Sequence, residues 1–339
     1  MSAVIMDTRS IAATLRQHIQ QDVMSFTRQY NQTPGLVLIG FGEDQPTIDI
    51  ARIVGRNAPQ VGIRATTLLV AANIKPGELR RQIEQLNADP AVHAISLQLP
   101  MPKHLEPEEV ASWIAVEKEV EGEHPLHQGR AYLGKPSMAA PPALSAMRLL
   151  SLYNINPAGR HVVIIGRNMM IGRPLASLMI KADATVSLCH SQTRNLQAHT
   201  RQAEILVTAA GQPELITADM VRPGAVVIDY GINYVSKAQI VGDVDFESVS
   251  NVAGAITPMP GGTGPLTVIC LMENILKAAR LQQNTERERA NLGKPQIETE
   301  QRPFQFKGSA EYEVQPSYLP SQTDVIVSPS PITRNGFYN

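Results

Sequence analysis

The chain reads as a two-domain α/β protein, each domain a parallel sheet with helices on its faces, followed by a C-terminal tail. Three observations predict this. Short aliphatic runs, LVLI at 36–39, VVII at 162–165 and VVI at 226–228, have the composition of strands buried on both faces. Between them lie segments with apolar residues at helical spacing, so strand and helix alternate. At 339 residues the chain exceeds one average domain and is long enough to bury a sizeable core.

Taken in order, Ile11, Leu15, Ile19, Val23 and Phe26 mark an amphipathic helix between Thr8 and Tyr30. After Pro34-Gly35 comes the strand LVLIGFGED, then a helix over Ile48 to Gly62 and the strand ATTLLVA. A helix around Glu78 to Leu86 leads to AISLQLPMPKHL, a strand that stops at Pro100 and Pro102. Lys118 to Gly134 is polar and rich in His and Gly, and reads as loop. Pro141 to Tyr153 reads as helix. Beyond it come TVSLCHS, a helix after Asn195, EILVTAA, a short helix near Ala218 and AVVIDYG. The loop ITPMPGGTGPLT precedes a last helix, Val268 to about Leu281. From Thr285 charges alternate in sign and prolines recur. Such a segment lacks the apolar surface to offset its ordering entropy and reads as extended or disordered. Its short pieces Phe304-Gln305-Phe306, Tyr318-Leu319-Pro320 and Val325-Ile326-Val327 are of a kind that docks on a partner.

The most informative stretch is HVVIIGRNMMIGRP, His161 to Pro174. A buried strand ends at Gly166, Gly172 follows, and Pro174 suits the first turn of a helix. Free N–H groups and the dipole at a helix start favour an anion, so this is a phosphate-binding arrangement. The spacing is G-x5-G, not G-x-G-x-x-G, and a plain strand-to-helix turn would use the same glycines. Other classes are excluded by composition. A net charge of −1 gives no footing for nucleic acid. No apolar run approaches the roughly 20 residues of a membrane span, and the N-terminus lacks the features of a secretion signal. Cys189 and Cys270 lie far apart in apolar runs, as free thiols of a reducing compartment do, and no Cys/His cluster has metal-ligand spacing. The expectation is a cytoplasmic protein without a metal.

Several stretches together resemble one family, the methylenetetrahydrofolate dehydrogenase/cyclohydrolases of the bacterial FolD type. They are SLQLPMPKHL, VEGEHPLHQGR, VVIIGRNMMIGRP, HSQTRNL, VTAAGQPELI, GAVVIDYGIN, VGDVDFESV and ITPMPGGTGPLT, and the similarity runs from roughly Ile11 to Ala279. The resemblance implies an N-terminal substrate domain for a folate (1–145), a Rossmann-like NADP domain (146–267), a helix returning to the first domain (268–284), the tail (285–339), and a homodimer. It places the cofactor against Gly166, Arg167, Asn168, Gly172, Ser191 and Ile232. On the folate side it implies Gln98, Leu99, Pro100, Glu121, Pro260, Gly261 and Gly262, with Gln98 and Glu121 as the candidates for catalysis. Gln98 would equally serve as a polar cap on a strand end.

Cofactor choice can be argued from the residues. NAD-binding folds meet the ribose with a carboxylate at the end of the second strand. Here that strand ends Cys189-His190-Ser191-Gln192, with Arg167 in the first loop, a pair suited to a 2′-phosphate. As a bare loop charge, Arg167 would be solvated instead.

The chain departs from the family on the folate side. The family's stacking tyrosine and proton-transferring lysine fall on Ile50 and Val54, which offer neither a π face nor a proton. Arg56 lies about 200° around the helix from Val54 and remains protonated, so it is a poor substitute. Glu121 replaces an aspartate, and Ala139-Ala140-Pro141-Pro142 replaces Pro-Cys-Thr-Pro. Two functional expectations follow. One is an NADP-dependent dehydrogenase whose cyclohydrolase activity is lost or crippled. The other is a catalytically inactive FolD homologue, a structural or regulatory subunit that holds a partner through 285–339. An enzyme of this fold acting on a less aromatic substrate is a third.

Overall fold

A computed structural model describes residues 2–42, 45–236 and 239–292. A short strand β1 (Val4–Ile5) precedes helix α1 (Arg9–Tyr30), whose stripe of Ala12, Ile19, Val23 and Phe26 is buried. Asn31 ends α1 in the left-handed region, φ 51°, and its N–H reaches Thr27 O. Next come β2 (Gly35–Phe41), α2 (Gln45–Gln60), β3 (Arg64–Val70), α3 (Pro76–Ala88) and β4 (Ala94–Leu97). The strands form a parallel sheet in the order β3-β2-β4. Every residue of the central β2 is buried, as its unbroken apolar run requires.

Two helices follow that the sequence reading did not find as such. One is α4 (Pro107–Trp113), and the other, α5 (Pro125–Tyr132), lies inside the stretch expected to be loop. His124 accounts for α5: its imidazole accepts the N–H of Leu126, while Pro125 occupies the first turn. Lys118 is equally structural. Its buried ammonium donates to the carbonyls of Leu86 (3.1 Å), Asn87 (2.7 Å) and Asp89 (2.8 Å), closing the C-terminal end of α3.

The second half holds α6 (Pro141–Leu152), β5 (His161–Ile165), α7 (Gly172–Lys181), β6 (Thr185–Cys189), α8 (Leu196–Thr200), β7 (Ile205–Thr208) and β8 (Val226–Asp229). A hairpin of β9 (Asn233–Ser236) and β10 (Gln239–Val241), then α9 (Phe246–Val249) and β11 (Ala255–Ile256), complete it. The larger sheet runs β1-β11-β8-β7-β5-β6, all parallel. The N-terminal strand thus belongs to the second sheet: Val4 pairs with Ala255 and Ile5 with Ile256.

The last helix, α10 (Thr263–Leu292), is longer at both ends than expected. It packs on α6 and α1 and buries Leu266, Ile269, Met272, Ile275 and Ala279. It corrects the expected start of the tail, because Thr285 to Leu292 are helical. The rest of the tail, with its three candidate partner anchors, lies outside the described residues. No helix among the described residues is long and apolar enough to cross a membrane, and none of their side chains cluster as a metal site would.

Candidate active site

Strands β5 and β6 run in register, Ile165 opposite Cys189, so the loops that follow them emerge side by side. An open pocket of about 430 Å³ lies there. Gly166, Arg167 and Asn168 line it on one side, His190, Ser191 and Thr193 on the next, and Ala209, Ala210 and Gln212 opposite. No carboxylate is among its lining residues. The two glycines are sterically required. Gly166 has φ 113°, and a Cβ there would stand 2.3 Å from Ala209 O. At Gly172 a Cβ would stand 1.9 Å from Gly166 O. Both leave the backbone bare where a flat, phosphate-bearing ligand must approach closely, so the cradle fits a dinucleotide.

Of the residues expected at the cofactor, Gly166, Arg167, Asn168 and Ser191 meet in this pocket. Gly172 sits behind it in the first turn of α7, and Ile232 is exposed beyond the end of β8, outside the lining. Asn168 plays a part not anticipated: its Oδ1 accepts the N–H of Ile171 (2.8 Å) and Gly172 (3.4 Å). The start of α7 is therefore capped by the chain itself.

The wall at Ala209–Gln212 is held by an acid that the sequence reading passed over. Asp243 is fully buried, and its carboxylate accepts the N–H groups of Ala210 (2.6 Å), Gly211 (3.2 Å) and Gln212 (3.0 Å), with Asn233 Nδ2 at 2.9 Å. Asp229 lies beside it, taking Thr208 Oγ1 at 2.9 Å and the N–H of Gly231 at 2.7 Å. Burial pushes the Asp229 carboxyl up to about 6 against those hydrogen bonds, with Asp243 adding repulsion.

On the other sheet, Gln98 follows β4 and is buried, and the Leu99–Pro100 peptide is cis. Gln98 Nε2 donates to Ser96 Oγ at 2.7 Å, and Ser96 Oγ donates to Glu121 Oε1. The loop carrying Glu121 is shaped by Glu119, whose buried carboxylate accepts the N–H of Glu121 (2.6 Å) and His124 (3.1 Å). Gly122, at φ 71°, abuts Ala140, whose N would lie 2.6 Å from a Cβ there. From α10, Asn274 Nδ2 ties this loop to the next, donating to Val120 O (2.8 Å) and Ala139 O (2.9 Å). The Pro260-Gly261-Gly262 loop, also entered through a cis peptide, is pinned by Thr8, which donates from N to Gly261 O (3.2 Å) and from Oγ1 to Gly262 O.

Glu121 is shifted strongly. Burial raises its carboxyl to about 7, the Ser96 hydroxyl opposes this, and the Glu119 carboxylate adds to it. Between its ordinary 4.5 and about 7 the folded chain holds a proton that the unfolded chain has lost, so stability falls as pH rises through that window. Glu121→Gln keeps the shape and removes the titration. Urea unfolding from pH 4.5 to 8 should find wild type losing up to ~3 kcal/mol relative to the variant. Parallel curves would refute the shift.

Val54 is buried in a cluster with Leu36, Leu38, Ala58 and Val120, and Ile50 packs on that cluster. Arg52 is exposed and paired with Asp49 at 2.8 Å, and Arg56 is also exposed. Nothing cationic on α2 therefore replaces the family lysine in this core position.

Comparison with known proteins agrees with the geometry. Residues 6–121 match the tetrahydrofolate dehydrogenase/cyclohydrolase catalytic domain, and residues 140–283 its NAD(P)-binding domain. A bifunctional FolD protein of Exiguobacterium sibiricum is 41% identical over 278 residues, 82% of this chain and 100% of the relative. Among solved structures, a methylenetetrahydrofolate dehydrogenase of the silkworm Bombyx mori is 38% identical. It superposes with a TM-score of 0.78 over 83% of this chain and 99% of its own. The dehydrogenase-cyclohydrolase of Trypanosoma brucei, solved with NADP and an inhibitor, is 31% identical, with a TM-score of 0.80 over 84% and 99%. With both halves matched in order, the chain belongs to the tetrahydrofolate dehydrogenase/cyclohydrolase family.

Proposed function

We propose that the chain is an NADP-dependent methylenetetrahydrofolate dehydrogenase in which cyclohydrolysis is lost or crippled. What carries this reading is Val54, an apolar residue in a core cluster where the family keeps a proton-transferring lysine, in a chain whose second domain keeps a pocket lined by Gly166, Arg167 and Ser191. Hydride transfer is chiefly a positioning problem, whereas cyclohydrolysis needs activated water and a proton shuttle. A site that has kept its positioning groups and lost its shuttle favours the first reaction over the second.

Arg167 and Ser191 hold the 2′-phosphate, Gly166 and Gly172 let the backbone approach the pyrophosphate, and Asn168 sets the start of α7. When bound, NADP supplies the acceptor for the hydride. Gln98, Leu99, Pro100 and Glu121 take the pterin end of the folate, and the Pro260-Gly261-Gly262 loop, braced by Thr8, closes the site where the two ligands meet.

Two measurements test the reading. Purified protein should form NADPH from methylenetetrahydrofolate. Arg167→Ala should weaken NADP binding roughly tenfold to a hundredfold, the worth of one charge-assisted hydrogen bond, and leave NAD binding nearly unchanged. Equal affinity of wild type for the two cofactors would remove the phosphate role of Arg167.

A further inference from the structure

Ser96 opens the stretch SLQLPMPKHL but is given no role by the resemblance, yet it joins the two polar groups of the folate side. Its strand is otherwise apolar: Ala94, Ile95 and Leu97 are all buried, and so is Ser96. A hydroxyl in that setting must be satisfied, and it is, once on each side. It donates its single proton to Glu121 Oε1, so towards Gln98 it can only accept, and Gln98 presents Nε2 at 2.7 Å. The chain of hydrogen bonds therefore has a direction, Gln98 to Ser96 to Glu121, and it leaves the Gln98 carboxamide oxygen for whatever lies in the site.

That direction depends on Glu121. An ionised carboxylate only accepts, which fixes the polarity just described. A protonated carboxyl, having taken a proton from solvent, can donate to Ser96 Oγ. Ser96 then turns its own proton to Gln98, and Gln98 must rotate its carboxamide to offer Oε1, leaving the NH₂ for the site. No covalent bond is made or broken apart from the O–H gained by Glu121. We propose that Ser96 is a positioning residue of the substrate site, coupling Glu121 to Gln98 so that the protonation of Glu121 decides which end of the Gln98 carboxamide faces the substrate.

The surroundings permit the switch near neutral pH. The titratable groups facing Glu121 are Glu119 and Glu123 on its own loop, both pushed up by burial. From β4 it meets the Ser96 hydroxyl, and the next residue, Gly122, packs on the backbone of Ala139 and Ala140. Among the described residues no salt bridge reaches it. Glu123 is itself pushed well up by burial, and one of its buried oxygens has no hydrogen-bond partner, so it adds little negative charge. The inference rests on the folate reading only for the identity of the substrate.

The test uses the full chain with isotope-labelled glutamine and follows the Gln98 side-chain amide signals by NMR from about pH 5.5 to 8.5. In wild type these signals should titrate with a midpoint near neutrality. Ser96→Ala and Glu121→Gln should abolish the titration, and Ser96→Thr, which keeps the hydroxyl, should retain it. A second arm measures tetrahydrofolate affinity over the same range. Wild-type affinity should change roughly threefold to tenfold, one hydrogen bond gained or lost, and Ser96→Ala should flatten it. Flat Gln98 signals in wild type, or a titration that survives in Ser96→Ala, would overturn the coupling. A titrating Gln98 in a protein that binds no folate at any pH would support the coupling and overturn the folate reading instead.

Discussion

Replacing Asp243 by alanine is expected to cost roughly 3–5 kcal/mol of stability and most of the cofactor affinity, both together. The carboxylate is fully buried and receives four donors, the N–H groups of Ala210, Gly211 and Gln212 and the amide of Asn233. Removing it leaves the buried Asn233 amide without its acceptor, at about 1–3 kcal/mol, opens a cavity, and hands the three loop N–H groups to water, which does not hold them in place. The same backbone forms a wall of the cofactor pocket, so a loop released from Asp243 no longer shapes that wall. Part of the loss is offset, because Asp229 is freed from a neighbouring negative charge. Asp243→Asn, which keeps one acceptor oxygen, should fall between the two. Urea unfolding and a titration with NADP make the comparison. An alanine variant with a wild-type midpoint and wild-type affinity would show that the loop holds its shape without the acid.

Asp243 also marks where the sequence stops being readable. Its backbone partners sit on a loop more than thirty positions earlier, and nothing in the local string Gly242-Asp243-Val244 announces them. The first loop was the opposite case. A buried parallel strand writes itself as an unbroken apolar run, so β5, its glycine and the start of α7 were legible from His161 to Pro174. Arg167 and Ser191 could be paired because adjacent parallel strands put their following loops side by side. Short elements that depend on distant partners were not legible. Val4–Ile5 is a strand only because Ala255–Ile256 waits for it, and α5 hides in a polar string because its start relies on His124 folding back. Ser96 looked like an ordinary strand residue, since its contact with Glu121 exists only once the two segments are folded together. The Ile50 and Val54 positions came from the resemblance, and the fold adds the burial that gives them consequence.

Cyclohydrolysis is expected to run slower by roughly 10²–10⁴-fold than in a bifunctional relative, the usual cost of removing a positioned acid or base. Val54 is 3% exposed, lies in a cluster of apolar side chains and has no titratable group of its own, so it cannot carry a proton. The nearby arginines do not help: Arg52 and Arg56 are exposed, and a guanidinium stays protonated throughout the neutral range. Decay of methenyltetrahydrofolate absorbance, with and without protein, measures the effect. A wild-type rate well above the spontaneous one would refute the assignment of the shuttle to position 54. Ile50→Tyr with Val54→Lys then asks whether the rest of the site is intact. A lysine placed in this cluster should lower stability, but burial also draws an ammonium towards neutrality, which suits proton transfer. Some activity should therefore return if Gln98 and Glu121 are correctly placed. A folded double variant that recovers nothing would move the defect to Glu121 or to the Ala139–Pro142 segment, which meet at Gly122 with no room for a Cβ between them.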